Sequence, residues 1–239
     1  MCAEDKKNPF TTAGKVNLNT HFTDNFLSNE AFKTLRSNLL FCGDNIKTVL
    51  VTSSIAGEGK TTISTELAKS ISQIDRKTLL IYGDMRKPTN FSREQKVAGL
   101  SELLSENLDV SKVIYNTQLE NLDIIFSGAL TENPSELLTS KNLKHSLDKL
   151  KEYYDYIIID SPPLVPVIDA ALISIHCDGA VLVIATEKTN LDEISIAKEQ
   201  LKKSQCNILG AILNQSQKTV HSKYYEKTYS YYPKKPRKS

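Results

Sequence analysis

Lys60 and Thr61 close a glycine-rich stretch, Ser54-Ile55-Ala56-Gly57-Glu58-Gly59-Lys60-Thr61-Thr62, that directly follows the apolar run Val49–Val51. A turn of this kind between a strand and a helix aims successive backbone N–H groups at one point, with the positive end of the helix dipole behind it. Gly57 and Gly59 let the chain close around a phosphate without an intervening side chain. Gly57, Glu58, Gly59, Lys60, Thr61 and Thr62 therefore form a candidate nucleotide cradle. Within it Lys60 reaches the β- and γ-phosphates, and the Thr61 hydroxyl is placed to ligate Mg²⁺. Ser54 stands where the pattern G-x-x-x-x-G-K-[ST] has its first glycine.

Two carboxylates and an amide extend this chemistry. Asp160 ends the run Tyr156-Ile157-Ile158-Ile159, where an acid can hold Mg²⁺ opposite Thr61; the alternative is an Asp capping a turn before Pro162 and Pro163. Asp84 lies in Tyr82-Gly83-Asp84-Met85-Arg86-Lys87-Pro88. It is a second candidate for the Mg²⁺ shell or for orienting an attacking hydroxyl, against an ordinary surface pair with Arg86. Asn214 ends the last apolar run and can bond a purine edge or simply form an Asx-turn.

These residues need a frame that brings them together. Apolar, β-branched runs at Lys47–Thr52, Thr78–Tyr82, Leu122–Phe126, Tyr156–Ile159, Ala180–Ala185 and Ile208–Leu213 read as strands. They are continuously apolar rather than alternating, as strands are when helices cover both faces of a parallel sheet. Helical segments are expected from Ser28 (with Ser28 or Asn29 as cap), over Lys60–Ile74, over Ser135–Lys151 and over Leu191–Ser204. The alternation predicts a doubly wound α/β fold of the P-loop NTPase kind, its mostly parallel sheet flanked by helices. The loop at 54–62, Asp84, Asp160 and Asn214 then all fall at carboxyl ends of strands, where such sheets bind ligands.

Composition agrees with one such domain. The 239 residues are 40% hydrophobic and 24% charged, with no run approaching the ~18 to 20 apolar residues of a membrane span. The first residues lack the apolar core of a signal peptide, and Cys2, Cys42, Cys177 and Cys206 have no metal spacing. Reduced thiols in the cytoplasm are the expectation. Residues 1–27 read as an N-terminal arm, 28–216 as the domain and 217–239 as a tail. The net charge of +2 divides unevenly: the tail carries +6 and the rest −4, which argues against a nucleic-acid-binding body. Tyr224, Tyr225, Tyr229, Tyr231 and Tyr232, half of the ten tyrosines, crowd this tail among lysines and prolines. A basic, aromatic tail fits adhesion to single strands or membranes, no role at all, or tethered phosphate acceptors.

Taken together the chain resembles the bacterial tyrosine kinases (BY-kinases) of capsule and exopolysaccharide synthesis. The resemblance rests on Glu30–Phe41, Ser54–Thr62, Gly83–Pro88, Ser127-Gly128 with Asn133–Leu138, Asp160–Pro163, Asp169-Ala170 and the tyrosine tail. It implies a tyrosine autokinase in which Lys60, Thr61, Asp84 and Asp160 bind ATP and Mg²⁺ and the tail tyrosines accept phosphate from neighbouring subunits. It further implies a ring, of eight subunits, through Glu30, Lys33 and Arg36, where Lys33 replaces a family arginine. A chain without a span resembles the split form, recruited to the inner face of the membrane by a transmembrane adaptor. Asp169 falls at a family position without an assigned role. The main departure is Tyr82, where the family has an acid: a phenol of pKa near ~10 is neither a base at neutral pH nor a good Mg²⁺ ligand. Nucleotide binding with impaired or retuned phosphotransfer is the expectation. Two rivals differ in class. Partitioning and cell-division-site ATPases carry a second lysine where this chain has Ile55, and a non-catalytic nucleotide-gated scaffold would need no transfer at all.

Overall fold

The computed structural model describes residues 12–18, 26–87 and 97–216. The tail tyrosines, Pro88 and the first eleven residues lie outside them. The described strands are β1 (Gly14–Lys15), β2 (Thr48–Ser53), β3 (Thr78–Tyr82), β4 (Ile114–Asn116), β5 (Leu122–Ile125), β6 (Tyr156–Asp160), β7 (Gly179–Ala185) and β8 (Ile208–Asn214). They form one sheet in the order β1-β4-β5-β3-β6-β2-β7-β8. Every pairing is parallel except β4 with β5. The helices are α1 (Phe26–Leu40), α2 (Lys60–Ser72), α3 (Leu100–Ser105), α4 (Pro134–Leu138), α5 (Lys141–Lys151), α6 (Asp169–Ser174) and α7 (Leu191–Lys203).

Two cores explain the unbroken apolar runs. Successive strand residues point to opposite faces. Leu79, Ile81, Ile157 and Ile159 meet α3, α5, α6 and α7 on one face. Leu80, Tyr82 and Ile158 meet α1 and α2 on the other, through Phe32, Leu39, Ile63 and Leu67. All residues of β2, β3 and β6 are buried, and their central positions, Val49–Val51, Leu79–Ile81 and Ile157–Ile159, are aliphatic on both faces. The doubly wound fold is the one the sequence predicts.

Some local expectations change. Helix α1 begins at Phe26, so Ser28 and Asn29 sit inside its first turn instead of capping it. The helix expected over 135–151 is two helices. Ser140 is extended (φ −66°, ψ 150°) and starts α5 afresh, which lets α4 and α5 take different directions. Part of the expected arm is docked: Ala13 N donates to Ile114 O at 2.8 Å and Val16 N to Asn116 O at 2.9 Å. The Gln118 amide both accepts from Leu18 N and donates to Leu18 O, continuing the ladder with a side chain. The short elements α3, α6, β1 and β4 carry too few residues to show a period and were not expected.

Candidate functional site

Strands β2, β3, β6 and β8 end on one rim, and that rim gathers the loop 54–62, Asp84, Asp160 and Asn214. The β2–α2 turn is left-handed at Gly57 (φ 81°) and Gly59 (φ 92°). A Cβ on Gly59 would stand 2.1 Å from Asn214 Nδ2, so glycine is required there twice over. The first bond within α2 runs from Ile63 N to Gly59 O at 3.0 Å. The amides of Lys60, Thr61 and Thr62 thus belong to the turn that a helix leaves without acceptors, where an anion binds.

The loop is held from outside by groups the sequence did not single out for the purpose. Glu58 is fully buried, and its carboxylate accepts from Ile55 N at 2.7 Å, Ala185 N at 3.1 Å and the Thr189 hydroxyl. Asn214 Nδ2 donates to Glu58 O at 2.8 Å, Gln215 Nε2 to Gly57 O at 3.1 Å and Lys188 Nζ to Ala56 O at 3.1 Å. The loop's carbonyls are tied down by β8 and the β7–α7 turn, which keeps its N–H groups facing the other way. Asn214 therefore positions the loop in this form through the amide expected to read a base. The Glu58 carboxylate was legible as a loop residue only; beyond Ile55, its partners Ala185 and Thr189 lie 127 and 131 positions away.

Thr61 and Asp160 meet as expected. Thr61 Oγ1 donates to Asp160 Oδ2 at 2.6 Å, and Ser64 Oγ to Asp160 Oδ1 at 3.3 Å. Burial pushes the Asp160 carboxyl up to about 6, against the pull of the Thr61 bond and the Lys60 charge. Burial likewise lowers the Lys60 ammonium, opposed by Asp160, Asp84 and Glu58. A hydroxyl beside a carboxylate is the hard-oxygen pair that Mg²⁺ uses when phosphates and water complete its shell. Among the described residues no three His, Cys, Asp or Glu side chains form a metal-holding group, so those phosphate oxygens would be needed. The residues present fit the ion. If Asp160 is the ion's carboxylate, binding needs it ionised, and Mg²⁺·nucleotide affinity is expected to fall about tenfold per unit as pH drops below about 6. Calorimetric titration between pH 5 and 8 checks this; a flat profile down to pH 5 would rule out Asp160 as the ion's carboxylate.

Asp84 sits on the next turn. Its Oδ1 accepts from Arg86 N at 3.1 Å and Lys87 N at 3.2 Å, and burial raises its pKa despite those bonds. The surface pair with Arg86 does not form: the guanidinium turns instead to Asp169, at 2.6 and 3.0 Å. Tyr82 points away from solvent into the core beside α2, with its ring stacked 6.0 Å from Phe126. Its hydroxyl lies 3.2 Å from Thr65 Oγ1, and burial raises it to about 12. The rim therefore brings together Lys60, Thr61, Asp84 and Asp160, with Glu58 and Asn214 behind the loop. On α1, Lys33 Nζ bonds Glu30 Oε1 at 2.7 Å on the exposed face. Arg36 is drawn inward, NH1 donating to Ser70 O at 2.6 Å near the carboxyl end of α2.

Comparison with known proteins is decisive at this point. Residues 46–212 match the AAA domain family. Over 188 residues the chain is 43% identical to the tyrosine-protein kinase CpsD of Streptococcus pneumoniae serotype 4, covering 77% of this chain and 83% of that protein. The chain belongs to the bacterial tyrosine kinase family. The structure of the chimerical protein CapA2B2 aligns with a TM-score of 0.76 at 34% identity, over 87% of this BY-kinase and 96% of that chain. The septum site-determining protein MinD of Pyrococcus horikoshii, solved with Mg-ADP, aligns at 0.61 and 27% identity over 72% of each. Nucleotide binding follows for this BY-kinase from the P-loop family and the loop geometry together. No described helix is long and apolar enough to cross a membrane.

Proposed function

We propose that this chain is an ATP-dependent protein-tyrosine kinase of capsular or extracellular polysaccharide synthesis that phosphorylates its own tail in trans. The observation that carries the reading is the Thr61–Asp160 contact, with Lys60 and Asp84 beside it, at one rim of a BY-kinase fold. In the reaction a tyrosine oxygen bonds the γ-phosphorus as the bond to the β–γ bridging oxygen breaks, ADP departs with that oxygen, and the phenolic proton passes to water. Lys60 and the loop amides hold the β- and γ-phosphate oxygens. Thr61 and Asp160 would hold Mg²⁺, which supplies charge neutralisation on those oxygens. Asp84 Oδ2, which has no hydrogen bond among the described residues, would complete the Mg²⁺ shell beside Thr61 and Asp160 and orient the incoming hydroxyl. Asn214, released from Glu58 O, is suited to the purine edge.

Tyr224, Tyr225, Tyr229, Tyr231 and Tyr232 are the acceptors in this reading, since they sit on a basic segment beyond the domain. The outward Glu30 and Lys33 of α1 supply the contact between copies in a ring, and a transmembrane adaptor brings the kinase to the inner face of the membrane. A mixing experiment tests the transfer. Full-length Lys60→Met chain, unable to transfer, is incubated with ATP·Mg²⁺ and active chain truncated after Ser216, together with the adaptor segment. Phosphotyrosine on the Lys60→Met chain is expected. Its absence, with nucleotide binding intact in the truncated partner, would favour the nucleotide-gated scaffold instead.

A further inference from the structure

We propose that Asp169, acting through Arg86 and with Ser135, is a positioning residue for Asp84. The role rests on the reading of the Lys60–Thr61–Asp84–Asp160 rim as a Mg²⁺·nucleotide site. Asp169 is almost wholly buried at the start of α6. Both of its oxygens are taken: Oδ2 accepts from Arg86 Nε at 2.6 Å, and Oδ1 from Arg86 NH2 at 3.0 Å and Ser135 Oγ at 2.7 Å. The guanidinium also reaches Ser135 Oγ at 3.1 Å, closing a three-membered network between the β3 turn, α4 and α6. A planar fork in such a bidentate grip has one orientation, which a lysine could not reproduce.

That grip is relayed along three residues of backbone. Gly83 N donates to Asp160 O at 2.6 Å, which fixes the near end of the turn to β6. Met85 is buried between, and Arg86 fixes the far end to Asp169. The amides of Arg86 and Lys87 then both point at Asp84 Oδ1, which locks the carboxylate plane and leaves Oδ2 for the site. Loosening the far anchor would free the turn while leaving the phosphate loop and the Thr61–Asp160 bond in place, because among the described residues none of them hydrogen-bonds Asp169 or Ser135. An anchor needed only for folding would not separate the metal from the nucleotide in this way.

The separation is measurable. Thermal unfolding of the full chain is followed with ATP in EDTA, and then with ATP while Mg²⁺ is titrated; steady-state transfer is measured in parallel. For Asp169→Asn, ATP affinity in EDTA and KM for ATP should stay within about twofold, while the Mg²⁺ requirement rises about tenfold and kcat falls by about ten- to a hundredfold. Ser135→Ala, which keeps the Arg86–Asp169 pair, should move both in the same direction by about threefold. An Asp169→Asn chain with the wild-type Mg²⁺ requirement overturns the proposal, as does a uniform loss of ATP binding with and without the metal. Should Asp169→Asn fail to fold, Ser135→Ala and Arg86→Gln decide by the same criteria. If the wild type gains no Mg²⁺-dependent stabilisation from ATP, the reading of the rim itself fails and takes this inference with it.

Discussion

Replacing Lys60 by methionine is expected to lower phosphotyrosine formation by about a thousandfold, with the fold intact. Losing one preorganised charge at a reacting group costs about 10² to 10³ in rate, or about 3 to 4 kcal/mol of barrier. Lys60 should lie at the upper end because it is nearly buried at the start of α2. It feels Asp160, Asp84 and Glu58 as neighbouring charges, and burial still holds its pKa below the ordinary value. In the described structure its ammonium is in none of the ion pairs, so little native bonding disappears with it. Methionine keeps the unbranched stem that packs against the helix. Nucleotide affinity should fall less than the rate, since the loop amides and helix terminus remain. Transfer within about threefold of wild type, in a chain whose melting temperature is unchanged, would show that the phosphates are held elsewhere.

The legible part of this molecule was the part written in adjacent residues. Loop 54–62 carries glycine, lysine and threonine at fixed spacing, and the β-branched run ending at Asp160 states both a buried strand and the acid at its carboxyl end. Two local signals thus located Lys60, Thr61 and Asp160, and parallel strand order brought Thr61 and Asp160 within hydrogen-bonding distance. What escaped depends on pairings that composition does not encode. Arg86 and Asp169 are 83 residues apart, and only α6 returning beside the β3 turn makes them partners. Glu58 was grouped with the nucleotide cradle, yet its carboxylate turns inward as the buried peg that fastens the loop to Ala185 and Thr189. Strand β4 runs against its neighbour β5 and offers three residues, too few for a period, so the docking of Thr12–Leu18 on its edge could not be foreseen. Arg36 was grouped with Glu30 and Lys33 by the family resemblance, but long side chains on one helix can still turn toward different neighbours, and the α2 carbonyl end attracts this one.

Tyr82→Asp is the substitution expected to change the chemistry in the opposite direction, raising the rate of phosphotransfer by about ten- to a hundredfold at saturating Mg²⁺. Tyr82 pairs in register with Asp160 on the neighbouring strand, so an aspartate there places a second carboxylate directly beside the first. Two such charges repel unless a divalent ion lies between them. The Mg²⁺ site would therefore gain a ligand or water-orienting group that the present phenol, pushed up to about 12, cannot provide at any physiological pH. The same substitution should weaken the metal-free protein by about 3 to 5 kcal/mol, because it deletes a ring packed between Phe126 and the α2 face and buries an acid in its place. Tyr82→Phe separates the effects: it removes only the contact with Thr65, so it should leave the rate within about twofold and the stability within about 1 kcal/mol. The sign of the stability change with metal is the sharper readout. Saturating Mg²⁺·ATP should raise the melting temperature of Tyr82→Asp by more than it raises that of wild type, since ionic repulsion in the apo form is what the ion relieves. An unchanged rate in Tyr82→Asp together with an equal ligand-induced shift would mean that the position is purely a packing site, and that Asp84 and Asp160 alone set the pace of transfer.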